Sequence, residues 1–89
     1  MGVKQFDIAL SIAGRDTGYV YLISSILNNS SCLAVDGKLR PLSKPKKKNF
    51  KHLKIIGNAE KFFGGSLENK AGNKDAQIRK ILKEFEKGL

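Results

Sequence analysis

The chain lacks the residues on which several kinds of site depend. Its 89 residues include one cysteine, Cys32, and one histidine, His52, so no disulfide can form within the chain. A metal or acid–base centre needs a second histidine, a cysteine or an acid close by, and none of these adjoins His52 in the sequence. We therefore expect no metal, no cofactor and no catalytic site, and we interpret Cys32 as a buried structural residue.

Long apolar runs are also missing. No run approaches the roughly 20 residues that span a bilayer, and the segment 1–6 does not have the pattern of a signal peptide. The sequence therefore predicts a soluble, cytoplasmic protein with no membrane partner, and a single cysteine suits a reducing compartment. A chain of 89 residues makes one small domain with room for a short extension.

Acidic residues are absent from one long stretch, residues 37–59, here termed the basic segment. It contains no Asp or Glu and carries nearly all of the net charge of +9. Its cations are Lys38, Arg40, Lys44, Lys46, Lys47, Lys48, Lys51 and Lys54. Such a concentration of one sign of charge is typical of a nucleic-acid-binding surface. An anionic membrane surface, a protein partner and a solvated loop are the alternatives.

Five short strands are predicted over residues 7–56. Alternating and β-branched residues indicate strands at 7–12, 19–27, 32–35 and 50–56. Asp36-Gly37 is a type I′ hairpin signal, which predicts a fourth strand at 38–42. We expect Arg15 and Asp16 to be exposed in the turn at 13–18, and the lysine-rich segment 43–49 to be an exposed loop. A sheet of this size protects its edges by bending into a small barrel.

Residues 57–89 are predicted to form a helical extension. A weak helical pattern runs over 58–67, where Gly64-Gly65 lowers the helix propensity. A clear helix at about 74–87 follows a break at Ala71-Gly72 and a cap at Asn73. Its apolar stripe has the spacing i, i+3, i+4, i+7 and consists of Ile78, Ile81, Leu82 and Phe85. The stripe would pack on the barrel, on the Phe62-Phe63 segment or on a partner.

The first turn and its flanks resemble a known motif. Residues 7–20, DIALSIAGRDTGYV, resemble a KOW motif, which is a strand, a Gly-x-x-x-Gly turn and a second strand. The likeness continues through Val35-Asp36-Gly37, Lys38-Leu39-Arg40 and Asn49-Phe50-Lys51-His52-Leu53. This order is similar to that in one class of archaeal and eukaryotic large-subunit ribosomal proteins, and more similar to small bacterial KOW-domain RNA-binding proteins. The latter also end in a helix similar to residues 75–82. The resemblance implies an SH3-like barrel over 1–56 and RNA binding.

The basic segment and the resemblance together predict a non-catalytic RNA-binding protein. Lysine outnumbers arginine in the segment, which favours contacts with phosphates over the reading of bases. The predicted RNA-binding residues are the eight cations of the basic segment with Arg15 and His52. The expected partner is structured RNA, with ribosomal RNA and the ribosome favoured. The alternative is a protein-interaction module that docks on a ribosomal or transcription-machinery partner through the barrel or the C-terminal helix.

Aromatic residues offer a second kind of contact, stacking on unpaired bases. The candidates are Tyr19, Tyr21, Phe50, Phe62 and Phe63. Phe50 lies between lysines, but we favour a structural role for it as a plug at one end of the barrel. Tyr19 and Tyr21 share a strand face, so one of them is a candidate for exposure.

Overall fold

The architecture is one antiparallel sheet with a helix packed on it, seen in a computed structural model that describes residues 2–64 and 74–89. The strands are β1 (Asp7–Ser11), β2 (Val20–Ile26), β3 (Ser31–Val35), β4 (Lys46–Asn49) and β5 (Leu53–Asn58). A 3₁₀ turn (Phe50–His52) precedes β5, and the helices are α1 (Glu60–Phe63) and α2 (Lys74–Glu86). The strand order is β4-β3-β2-β1-β5. The predicted mainly β fold with five strands and a C-terminal helix is confirmed.

The three central strands bury side chains on both of their faces, because successive residues of a strand point to opposite sides. One face, here termed the helix face, carries Ile8, Leu22 and Val35, which pack in one cluster with residues of α2. The other face, here termed the inner face, carries a second core of Ala9, Tyr21, Ile23, Cys32, Ala34 and Leu53. The sheet therefore separates two apolar clusters.

The sheet curves around the inner face, which allows the long Lys48 side chain to reach across it. In a flat sheet β4 and β1 would lie three strand spacings, about 14 Å, apart. Lys48 Nζ on β4 nevertheless lies 3.3 Å from Ser11 Oγ on β1. An irregularity in the β1–β5 register between Ile8 and Ala9 adds local twist. Barrel closure stays a prediction, because among the described strands no ladder joins the edge strands β4 and β5.

Helix α2 packs on the helix face of the sheet. Ile78, Ile81 and Leu82 are buried there, and Phe85 packs against the same cluster. Gly57 of β5 touches the Phe85 ring so closely that an added Cβ would overlap Phe85 Cε1. The predicted apolar stripe is therefore covered by the chain's own sheet. Neither helix within the described residues is long and apolar enough to cross a membrane.

The fourth strand lies later in the chain than predicted. Residues 38–42 are not a strand, because the Asp36 carboxylate accepts hydrogen bonds from the amides of Lys38 and Arg40, each at 2.8 Å, and Pro41 has no N–H to donate to a neighbouring strand. A type I′ turn also needs positive φ at both central residues, and of the Asp36-Gly37 pair only Gly37 has it, at φ 75. The strand that pairs with β3 is instead Lys46–Asn49, within the segment predicted to be a loop.

The last strand is shifted from its prediction at 50–56, because Phe50–His52 form a 3₁₀ turn in which Asn49 Oδ1 accepts the amide of Lys51 at 2.9 Å. β5 continues to Asn58, beyond the predicted end of the barrel at residue 56, and Asn58 Oδ1 accepts the amide of Glu60 at 2.9 Å. α1 is a single turn that ends at Gly64 in the left-handed conformation. The predicted continuation to Leu67, the break at Ala71-Gly72 and the cap at Asn73 lie outside the described residues.

Candidate nucleic-acid interface

Strand β4 divides the basic segment into inward and outward lysines. In the register with β3, Lys48 lies opposite Cys32, Lys47 opposite Leu33 and Lys46 opposite Ala34. Residues opposite each other in a sheet share a face. Because Cys32 and Ala34 belong to the inner core, Lys46 and Lys48 point to the inner face and Lys47 points away from it. Lys48 is only 6% exposed, whereas Lys47 is exposed.

The two inward lysines meet a buried carboxylate, Asp16, in the β1–β2 turn. Lys48 Nζ lies 3.0 Å from Asp16 Oδ1, and Lys46 Nζ lies 3.2 Å from Asp16 Oδ2. The hydroxyls of Ser11 and Tyr21 each donate to the same carboxylate at 2.8 Å. We term these five residues the Asp16 network.

The prediction that Asp16 is exposed is wrong, since its exposure is 7%. Gly14 and Gly18 have φ of 90 and 95, values that L side chains rarely adopt, and they allow the turn to fold back over the end of the sheet. Gly18 N donates to Ser11 O at 2.8 Å and Tyr19 N to Asp16 O at 2.9 Å, which fixes the turn in this form. The Asp16 carboxylate therefore lies over Ser11 instead of in solvent.

The Asp16 network shifts the pKa values of Asp16 and Tyr21. Burial raises the pKa of Asp16, but the hydrogen bonds from Tyr21, Lys48, Ser11 and Lys46 outweigh it and hold that pKa well below its ordinary value. Burial, followed by the hydrogen bond to Asp16, raises the pKa of Tyr21 well above its ordinary value. The carboxylate is therefore charged and the phenol neutral at neutral pH. Burial likewise raises the pKa of the neighbouring Cys32 thiol to about 11, which leaves it un-ionised.

The other predicted RNA-binding residues lie on the surface. These exposed residues are Arg15, Lys38, Arg40, Lys44, Lys47, Lys51, His52 and Lys54. Lys46 is intermediate, with 32% of its side chain exposed. Asp36 sits among them, but its Oδ1 is engaged by the amides of its own loop. Burial of Lys48 against Asp16 removes it from the surface set.

The strand register gathers these cations at one end of the sheet. The pairs Leu10↔Val20, Leu22↔Val35 and Ala34↔Lys46 place the β1–β2 turn, the loop after β3 and the start of β4 side by side. The pair Ser11↔Leu53 and the hydrogen bond from Ile12 N to His52 O, at 2.8 Å, bring His52 and the start of β5 to the same place. Phe50 N donates to Ser30 O at 2.9 Å, so the 3₁₀ turn runs from the β2–β3 turn at the other end of β3 towards this region. We term this region the turn end.

The aromatic candidates separate clearly by exposure. Tyr19 is 50% exposed and Phe62 is 46% exposed, whereas Tyr21 and Phe63 are buried. Phe50 packs against the inner core, which agrees with the structural role favoured for it. Tyr19 also lies at the turn end, because it closes the β1–β2 turn.

Sequence reasoning missed the polar face of α2 as part of a surface with Tyr19. Arg79, Lys80 and Lys83 line a groove that also contains Tyr19 and Lys38. The signal was present as the i, i+4 spacing of Arg79 and Lys83 on the side opposite the apolar stripe. Only the packing of α2 on the sheet shows which part of the surface this face borders.

Comparison with known proteins does not add a family to these observations. No protein-family model matches the chain, and no curated protein matches it. The KOW resemblance of residues 7–54 therefore stays a prediction.

Proposed function

We propose that this chain is a non-catalytic RNA-binding protein whose turn end contacts the phosphates of structured RNA, with ribosomal RNA the favoured target. One observation carries the proposal. The exposed charges of the basic segment are all positive, while Asp16 in the β1–β2 turn is paired with lysines and Asp36 Oδ1 accepts backbone amides of its own loop. Asp16 is thus already paired with Lys46 and Lys48, which leaves the exposed cations of β4 and its neighbours available to phosphates.

The exposure of each predicted residue supports a different part for it in this proposal. Lys44, Lys47 and Lys51 are exposed and suited to phosphate contacts, as are Lys38, Arg40 and Lys54. Arg15 and His52 border them at the turn end. Lys48 takes no part in the proposed interface because its ammonium lies on Asp16, and Lys46 shares its ammonium with the same carboxylate. The curved five-stranded sheet and the inner core support an SH3-like barrel as the scaffold.

The second candidate function is a protein-interaction module that docks through the barrel or through the C-terminal helix. The packing of α2 argues against the second of these surfaces. The apolar stripe of α2 is buried on the sheet and is not open to a partner. The neighbouring residues Ile26 and Leu27, 41% and 47% exposed at the end of β2, remain as an apolar surface that a protein partner would cover. Nuclease treatment of a lysate separates the candidates, because it releases partners held through RNA and retains partners held through protein.

Salt dependence of RNA binding tests the proposal directly. With about five phosphate contacts, log K should fall against log[salt] with a slope of roughly −3.5 to −4.5. The triple change Lys44→Ala, Lys47→Ala and Lys51→Ala should reduce that slope by roughly 2 to 3 and weaken all sequences alike. Fluorescence anisotropy with labelled RNA at several salt concentrations provides both numbers.

A matched control removes the same charge elsewhere. Lys4, Lys61 and Lys87 are exposed and outside the basic segment, so changing all three to Ala should lower the slope much less. RNA affinity that does not change with salt concentration, or an equal reduction of the salt slope in the two triple variants, would rule out the turn end as the interface.

A further inference from the structure

A groove lies between α2, the start of β2 and the loop after β3. Strands β4 and β5 of the basic segment do not line it. It has a volume of about 1080 Å³. Its walls carry one aromatic side chain and four cations: Tyr19, Lys38, Arg79, Lys80 and Lys83. Asp36 and Glu86 are the acids on its rim. Because the four cations outnumber the two acids, the groove is predominantly cationic.

The groove is held in shape by contacts between the loop and the helix. Gly37 lies directly on α2, where an added Cβ would overlap the backbone oxygen of Asp75. Arg79 Nη1 donates to Gly37 O, and Leu42 N donates to Asp75 Oδ1 at 2.8 Å. These contacts fix Lys38, the residue after Gly37, relative to the lysines of α2. The two cationic walls are therefore set before any ligand arrives.

Tyr19 supplies a flat apolar surface within this charged setting. Its ring is half exposed, and its centroid lies 6.4 Å from that of Tyr21, which is buried in the inner core. A partly exposed ring of this kind can stack on a base. Lysines close to such a ring suit the phosphates that flank an unpaired base.

We propose that this groove binds an unpaired nucleotide of single-stranded RNA, with the base on Tyr19 and its flanking phosphates between Lys38 on one wall and Lys80 and Lys83 on the other. The inference rests on the proposed function and extends it. The outer lysines of the turn end contact phosphates irrespective of pairing, whereas the groove selects a strand whose base is free to stack. Helix α2 thereby contributes to the interface through its polar face while its apolar face holds the sheet.

Single-stranded and duplex RNA distinguish the groove from the rest of the interface. The probes are a short uridine homopolymer and a blunt RNA duplex with the same number of phosphates. Tyr19→Ala should weaken binding of the single strand roughly 5- to 150-fold, while Tyr19→Phe should bind as the unaltered protein does. Neither change should alter binding of the duplex. A fluorescent adenine analogue placed in the single strand should lose emission on binding, and Tyr19→Ala should restore it.

The lysines of α2 are tested by charge. Lys80→Ala with Lys83→Ala should reduce the salt slope for the single strand by about 1.4. Lys61→Ala with Lys87→Ala removes the same charge from exposed positions that do not line the groove, and should leave the slope nearly unchanged. Circular dichroism should show that all variants keep the fold.

The outcomes separate this inference from the proposed function. If the protein binds both RNAs and the groove variants bind the single strand as well as the control does, the groove inference is overturned and the proposed function stands. If the protein binds neither RNA, both are overturned. An acidic protein captured through Tyr19 and Lys80 in the absence of RNA binding would also overturn the RNA assignment of the groove.

Discussion

Lys47 and Lys48 are adjacent, chemically identical and part of one basic run, yet they occupy opposite environments. Lys47 is exposed to solvent, whereas Lys48 is 6% exposed and lies against Asp16. The alternation of side chains along β4 is the whole cause of the difference. The comparison teaches that a cluster of charge in a sequence is not necessarily a cluster on the surface. In this protein, Lys46 and Lys48 of the basic run pair with the buried carboxylate of Asp16 in the β1–β2 turn.

The two inward lysines of β4, Lys46 and Lys48, also indicate why this lysine-rich segment forms a strand. Lys-Lys-Lys-Asn has low β-propensity, and its charges favour an exposed loop. Pairing with β4 nevertheless provides hydrogen-bond partners for the backbone of β3, and it places two ammonium groups next to Asp16. A buried ion pair adds little stability compared with apolar packing, but breaking one is costly because it leaves a charge without a partner. The inward and outward lysines should therefore respond very differently to substitution.

The largest effect should follow loss of the central charge. Asp16→Asn preserves the shape of the side chain but leaves the Lys48 ammonium buried without its anion, which should lower the free energy of unfolding by about 3–5 kcal/mol. Urea denaturation followed by circular dichroism measures this. Glu84→Gln is the control, since Glu84 forms an exposed ion pair with Lys87 at 3.4 Å and should change stability by at most about 0.5 kcal/mol. Similar losses in the two variants would contradict the central role of Asp16.

A direct test of the comparison exchanges each lysine for an apolar residue of similar length. Lys48→Met should cost about 2–3 kcal/mol, because a buried carboxylate oxygen loses a charged donor while Lys46 still neutralises part of its charge. Lys47→Met should change stability by at most about 0.5 kcal/mol, since Lys47 is exposed. The same denaturation experiment applies. Equal changes in the free energy of unfolding would mean that the alternation of side chains along β4 does not determine how much each lysine contributes to stability.

The smallest effect should appear as a dependence on pH. The folded-state pKa of Asp16 is below its unfolded value of about 3.9. The contribution of the Asp16 carboxylate to the free energy of unfolding is therefore fully present above the unfolded-state pKa. It is lost as the pH falls towards the folded-state pKa. The stability difference between the unaltered protein and Asp16→Asn should narrow by about 1 kcal/mol by about pH 3. Urea midpoints measured from neutral pH downwards would show it, and a constant difference would contradict the shifted pKa.

Most elements could be predicted because their signals are local. The strands near 7–12, 19–27 and 32–35 and the final strand were recognised from alternation and β-branched residues, and the C-terminal helix from its apolar stripe. The turn between Gly14 and Gly18 was recognised because positive φ is a property of the residues themselves. The fourth strand was misplaced because the Asp36-Gly37 signal is also compatible with a longer loop closed by the Asp36 side chain.

By itself, the sequence determined the class of fold, the C-terminal helix with its apolar stripe and the sign of the charge at the surface. Each of these follows from composition or from a period along the chain. The tertiary structure alone decided which lysines face Asp16, that the α2 stripe packs on the sheet and that Tyr19 shares a groove with the cations of α2. The physical reason is that each depends on curvature of the sheet and on strand register, which join residues distant in sequence. The Lys48–Asp16 pair links two such residues, and it converts part of a basic run from surface into core.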